Sequence, residues 1–183
     1  MKTSYLFLAE GFEEIEALTI IDMLRRAGMA IKTVSITSQK EVKGAHNITV
    51  LADMLFEPNR ITDIDWLILP GGMPGTKHLG EFKLLKTLLK EHYKNNGKIA
   101  AICAAPSILG DMGLLNGRKA TCYPGFESHL QNGDCTGNPV EISGNITTGK
   151  GPGVAPEFAL AIIKQALGDE TAKKVAKEML LVD

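Results

Sequence analysis

Three short runs, Tyr5-Leu6-Phe7-Leu8, Trp66-Leu67-Ile68-Leu69 and Ile99-Ala100-Ala101-Ile102, are apolar at every position and stop abruptly. Four residues leave no room for a helical period, and the lack of polar alternation leaves neither side for water. Each run therefore reads as a strand buried on both faces. Helical periodicity fills the intervals: residues 13–27, closed by Arg25-Arg26 and Gly28, and residues 82–93, closed by Asn96-Gly97. Residues 105–112 read as a helix behind the third run, and residues 156–167 and 170–180 as two more. Residues 31–36 alternate as a strand does, and residues 48–51 are a weaker candidate. Beyond Gly117 the pattern fades, with short strands expected near Thr121 and Ile146 around a loop rich in Gly and Asn. Fully apolar strands alternating with helices require a mostly parallel sheet covered on both sides. With no repeat, linker or low-complexity tract in view, the expectation is one doubly wound α/β domain over residues 1–183.

With 183 residues, 44% of them hydrophobic, such a chain can bury its core without disulfides or a structural metal. Lys plus Arg number 20 against 21 for Asp plus Glu, and a formal net charge of -1 offers no footprint for nucleic acid or an anionic membrane. Aromatics at 5% make a base-stacking platform unexpected. No apolar run approaches bilayer thickness, and Met1-Lys2-Thr3-Ser4 leads into no signal-peptide pattern. Cys103, Cys122 and Cys135 are odd in number and form no CxxC pair, which fits single-thiol chemistry in a reducing cytoplasm. Cys122 and Cys135 fall in the weakly patterned region, where no chemical role is expected of them.

In a parallel sheet of this type, ligands bind outside the carboxyl ends of the strands. Ala9-Glu10-Gly11, Pro70-Gly71-Gly72 and Cys103-Ala104-Ala105 all fall at that edge. Cys103 stands where a strand turns into a helix, among small neighbours and with Pro106 in the first helical turn. Two readings fit: a small buried hydrophobe, or a nucleophile elbow whose thiolate is favoured by a helix N-terminus. Glu16 likewise has two. It is a first-turn acid complementing the helix dipole, as Glu13 and Glu14 are. It also heads an apolar stripe with Ile20, Met23 and Ala27, where a partly buried carboxyl stays protonated and donates to a thiolate.

The segment Leu69-Pro70-Gly71-Gly72-Met73-Pro74-Gly75 is a tight turn after a strand, or a turn that also aims the Gly72 N–H at negative charge near the sulfur. Gly151-Pro152-Gly153 opens the helix near Pro156 and supplies another wall of the same crevice. The glycine spacings match neither a dinucleotide fingerprint nor a phosphate loop. His46, His78, His92 and His129 show no metal-ligand spacing, so no cofactor or metal is expected. His78 reads as a loop residue and His92 as a surface residue on a polar helix side, and no Cys-His pair is assigned.

Taken together, Ala9-Glu10-Gly11-Phe12-Glu13-Glu14-Ile15-Glu16, Leu69-Pro70-Gly71-Gly72, Ala100-Ala101-Ile102-Cys103-Ala104-Ala105-Pro106 and Gly151-Pro152-Gly153 with Glu157-Phe158-Ala159-Leu160 resemble the ThiJ/PfpI superfamily. Within it the resemblance is to the branch of the Parkinson-associated protein deglycase. It implies a flavodoxin-like sandwich, usually a homodimer, with Cys103 reactive and Glu16 the protonated acid beside it. It further implies backbone N–H groups at Gly72 and Ala104 holding an oxyanion or oxidised sulfur, and a pocket completed by Gly71, Tyr123, Gly151, Pro152 and Gly153. Two positions depart from family patterns: Ala104 stands where the protease-like branch has His, and Tyr123 where some deglycase-branch members have His. A further position near the site, often basic in the family, is His46.

The resemblance implies a cofactor-independent glyoxalase or deglycase acting on methylglyoxal-type α-oxoaldehydes or their adducts. The alternative is a redox-responsive stress protein or chaperone sensing oxidants through Cys103. A peptidase or amidotransferase would need a Cys-His-Glu triad that the sequence does not place.

Overall fold

The computed structural model describes residues 2–182. In chain order its elements are β1 (Thr3–Leu8), α1 (Glu14–Arg26), β2 (Ile31–Ser35), β3 (Glu41–Lys43), β4 (Thr49–Leu51), β5 (Met54–Leu55) and β6 (Ile64–Leu69). There follow α2 (Gly75–Glu81), α3 (Lys83–Lys94), β7 (Lys98–Ile102), α4 (Pro106–Asp111), β8 (Lys119–Ala120), β9 (Asp134–Cys135), β10 (Val140–Ser143), β11 (Ile146–Gly149), α5 (Ala155–Leu167) and α6 (Asp169–Glu178).

The central sheet runs β10-β11-β7-β6-β1-β2-β5. All its pairings are parallel except β10 with β11. The three apolar runs form its middle, and their alternate residues serve two different cores. Leu6, Leu8, Trp66, Ile68, Ala100 and Ile102 pack with Ile20, Met23 and Leu24 of α1 and Phe158 and Ile162 of α5. Tyr5, Phe7, Leu67, Leu69, Ile99 and Ala101 pack with Leu79 of α2, Leu85 and Leu89 of α3, and Ile108 and Leu109 of α4. Full apolarity of a central strand is thus what helices on both faces require.

Several elements differ from expectation. The weak candidate at residues 48–51 is β4, and it pairs antiparallel with β3 in a ribbon separate from the main sheet. The strand expected near Thr121 is β8, which pairs with β9 in a second small sheet. His78 lies in helix α2 rather than in a loop. His92 is half-buried, its ring against Gly97, and burial holds it below the usual imidazole range. Among the described residues no helix is long and apolar enough to cross a membrane.

The chain winds outward from β1 to β2 and β5, then returns to β6 on the other side of β1. This reversal opens a crevice at the carboxyl ends of the middle strands. Ala9, Pro70 and Cys103 each follow directly on one of them.

Candidate active site

Cys103 follows the last residue of β7 with φ of 65°, a left-handed conformation for a residue that bears a side chain. Such a conformation costs about 1–3 kcal/mol and persists only where the surroundings impose it. Here the Cys103 N–H donates to the Gly149 carbonyl at 2.9 Å, and its own carbonyl accepts the Tyr123 N–H at 2.7 Å. Two segments therefore clamp the turn from opposite sides. The residue is 9% exposed, so little of it meets solvent.

Glu16, in the first turn of α1, is fully buried. Its Oε2 accepts the Gly71 N–H at 2.7 Å. Oε1 is enclosed and has no partner at hydrogen-bond geometry among the described residues. The carboxyl interacts with the Cys103 thiol, and burial pushes it up to about 7 against the opposing effects of the Gly71 N–H and that thiol. A carboxyl that is half protonated at neutral pH, with one oxygen unpartnered, has a proton to place beside the sulfur.

The sulfur itself does not follow the helix-terminus expectation. Burial above all, and then the charge and hydrogen bond of Glu16, push the Cys103 thiol up to about 12. The N–H groups of Ala104 and Gly72 face the sulfur and pull the other way. Helix α4 has only six residues, too short for its dipole to outweigh a buried carboxylate. The reactive form of the pair is therefore one that shares a single proton and a single negative charge between carboxyl and sulfur.

Gly71 is the reason the two groups can meet. A Cβ there would stand 2.6 Å from Cys103 Cβ, 2.9 Å from Glu16 Oε2 and 3.0 Å from Cys103 Sγ. Gly72, with φ of 89°, turns the chain away beneath Glu13, and its own Cβ would strike the Gly11 and Phe12 backbone at 2.6 Å.

The sulfur opens into a depression of about 430 Å³ lined by Gly72, Ala104, Tyr123 and Pro152, with Ile15, Met73 and Phe126 as apolar walls and Glu13 and His46 at its acidic and basic edge. Gly151 and Gly153 line a neighbouring hollow of about 310 Å³ that shares Tyr123 and Pro152 with the first. Gly71 lies beneath the sulfur rather than in either wall. Glu13, Ile15 and Met73 fall inside motif segments that did not mark them as wall residues, and Phe126 falls in none.

Glu13 and Glu14 are not simple solvated helix-start acids, for both are buried. Glu14 Oε1 accepts the His46 N–H at 2.7 Å and the Ile48 N–H at 3.4 Å. Its Oε2 lies 2.9 Å from His46 Nδ1, and Glu13 Oε2 lies 3.5 Å from the same nitrogen. These donors hold the Glu14 carboxyl below its ordinary value despite burial, and the carboxylates raise His46 above the usual imidazole range. The donor atoms of the three residues fall within 4.8 Å of one another, a spacing a metal would accept. Glu14, however, already spends both oxygens fastening the β3–β4 ribbon to α1.

The model of the DJ-1/PfpI family matches residues 2–165. Protein DJ-1 homolog A of Arabidopsis thaliana is 38% identical over 183 residues, covering 98% of this chain and 47% of that protein, so the chain spans about half the length of that relative. A glutathione-independent glyoxalase of Caenorhabditis elegans is 33% identical over 174 residues, covering 94% of this chain and 92% of that protein. The structure of oxidized Toxoplasma gondii DJ-1 matches with a TM-score of 0.94 at 36% identity, covering 98% of each chain, and shares the flavodoxin-like arrangement of sheet and helices. Sequence match over most of the length and agreement of fold lead to one conclusion: the chain belongs to the DJ-1/PfpI family.

Proposed function

We propose that the chain is a cysteine-dependent, cofactor-independent glyoxalase or deglycase for methylglyoxal-type α-oxoaldehydes or their adducts. The observation that carries this reading is the buried contact between the Cys103 thiol and the Glu16 carboxyl. The glyoxalase relative from Caenorhabditis elegans supports it. The Cys103 sulfur adds to the aldehyde carbon, and the carbonyl oxygen takes up a proton to give a hemithioacetal. Glu16 as carboxylate removes the proton from that carbon and returns it to the neighbouring one by way of an enediol. The first carbon ends oxidised, as a thioester to Cys103, and the second reduced, as an alcohol. Water then cleaves the carbon–sulfur bond, releasing lactate and leaving the thiol with its proton. The two N–H groups at Gly72 and Ala104 suit the negative charge that develops beside the sulfur. Incubation with methylglyoxal should yield lactate, and Cys103→Ser should abolish it. Full activity in that variant would overturn the mechanism.

A second reading has its own support: the same two N–H groups suit an oxidised sulfur anion, and the Toxoplasma relative is an oxidized form. On this reading Cys103 senses oxidants for a stress protein or chaperone. Mild peroxide should then add two oxygens to Cys103 before any oxygen is retained on Cys122 or Cys135, and the reverse order would count against it.

A peptidase or amidotransferase gains no such support, since the hydrogen bonds of His46, His78 and His129 go to Glu14, the Glu10 carbonyl and Asp111 rather than to Cys103. We further infer a cytoplasmic homodimer. Ile15, Leu18 and Ile48 are 58%, 41% and 53% exposed on α1 and the loop that Glu14 ties to it, an apolar surface that suits a second copy. Sedimentation should show twice the chain mass.

A further inference from the structure

The two remaining cysteines are thirteen positions apart in sequence and fall together in the fold. Strand β8 pairs parallel with β9, with Ala120 opposite Cys135. The Thr136 N–H donates to the Ala120 carbonyl at 2.9 Å, which fixes that register. Cys122 lies two residues beyond Ala120, just past the end of β8, which makes it a diagonal neighbour of Cys135. The neighbouring Cys135 acts on the Cys122 thiol and helps to raise it. Cys122 is buried and Cys135 is exposed.

We propose that Cys122 and Cys135 form a reversible disulfide under peroxide stress, a modification site distinct from the Cys103 elbow. The exposed Cys135 thiolate attacks the peroxide oxygen, becoming a sulfenic acid with release of water. The Cys122 thiol then attacks that sulfur, the S–OH bond breaks, and a second water leaves. Two thiols are oxidised by two electrons and one peroxide is reduced to two waters. Burial and the neighbouring Cys135 and Glu127 push the Cys122 thiol up to about 12, so the outer cysteine takes the first step and the inner one resolves it.

Closing the bond has a consequence for the pocket. Diagonal neighbours in a sheet stand about 7–8 Å apart between Cα atoms, while disulfides usually hold Cα atoms at about 4.4–6.8 Å. The bond therefore draws Cys122 toward β9. Its neighbour Tyr123 donates its N–H to the Cys103 carbonyl at 2.7 Å and lines the depression above the sulfur. A disulfide with an exposed sulfur is readily reduced again, as regulatory ones are.

The test uses Cys103→Ser protein, so that the elbow thiol consumes no oxidant, treated with a small excess of hydrogen peroxide and mapped without reduction. Cleavage after Glu127 separates the two cysteines. The expected result is two fragments held together, two hydrogens lighter than their sum and parted by dithiothreitol. Cys135→Ser, an exposed change that leaves the fold intact, should abolish the link. Overturning results are an oxygenated Cys135 beside a free Cys122, a bond between separate chains, or both thiols unchanged. In wild type, diamide should close the same bond and change the rate at which iodoacetamide labels Cys103, with recovery on reduction. An unchanged rate would refute the link to the pocket.

Discussion

Glu16 on α1 and Cys103 at the end of β7 are 87 positions apart in the chain and are brought side by side over a residue without a side chain, Gly71. Gly71→Ala should therefore be damaging twice over. Its methyl would stand 2.6 Å from Cys103 Cβ and 2.9 Å from Glu16 Oε2, and overpacking of that kind costs about 1–3 kcal/mol. Urea unfolding should show that loss, and lactate formation from methylglyoxal should fall with it, because the two reacting groups are forced apart.

The raised Glu16 gives stability a pH dependence with a definite sign. Its folded value is about 7 against 4.5 for the ordinary carboxyl. The native state thus binds the proton more tightly than the unfolded chain. The burial cost is absent below about pH 4.5, grows across the interval, and is complete above about pH 7. Glu16→Gln removes the charge while keeping the shape. It should be near neutral at pH 5 and more stable than wild type at pH 8, by up to about 3 kcal/mol. Equal denaturation midpoints at pH 8 would count against the burial cost.

The same substitution separates thiol reactivity from turnover. The negative charge and hydrogen bond of Glu16 contribute to the upward push on Cys103. In Glu16→Gln the thiol should ionise at lower pH and react faster with iodoacetamide at neutral pH, while lactate formation is lost with the proton carrier. A slower alkylation would show instead that the wild-type proton already rests on Glu16, with the charge on sulfur.

The apolar runs at residues 5–8, 66–69 and 99–102 announced the sheet because a strand covered on both faces leaves no polar position to confuse the pattern. Edge elements escaped for the opposite reason. Strands β5 and β10 are short and mixed in character, and they are strands only because β2 and β11 offer them partners. The elbow was legible because it is local: small residues, a strand end and Pro106. Its titration was not, since burial and Glu16 come from elements far away in sequence. Glu14 shows the same limit. Its first-turn position gave it a sufficient local explanation, while the N–H groups of His46 and Ile48 that occupy it come from more than thirty residues away. The nearness of Cys122 to Cys135 likewise depends on the pairing of β8 with β9, for which the weakly patterned region carries no periodic signal.

Glu14 should be the fastening of the β3–β4 ribbon. Glu14→Ala leaves the His46 and Ile48 N–H groups to water, a loss of about 0.5–1.5 kcal/mol for each hydrogen bond. Because the folded carboxyl lies below its ordinary value, the stabilisation it gives is present above about pH 4.5 and is lost as pH falls further. Amide hydrogen exchange should show residues 41–51 opening more readily in the variant at neutral pH, with wild type approaching it in acid.

His46 sets the charge at the mouth of the depression, and its sign can be worked out. Glu13 and Glu14 flank the imidazole at 3.5 and 2.9 Å, so even a protonated His46 leaves that edge with an excess of one negative charge. A neutral oxoaldehyde such as methylglyoxal should therefore be preferred over an anionic one such as glyoxylate. His46 is raised above the usual imidazole range, so the cation is present at mildly acidic pH and is lost as pH rises through that raised value. The preference for the neutral substrate should widen over the same interval, through KM for glyoxylate rather than through kcat. In His46→Leu the wide preference should hold at all pH values, with methylglyoxal turnover little changed. A pH-independent ratio of kcat/KM in wild type would show that the histidine charge does not reach the substrate.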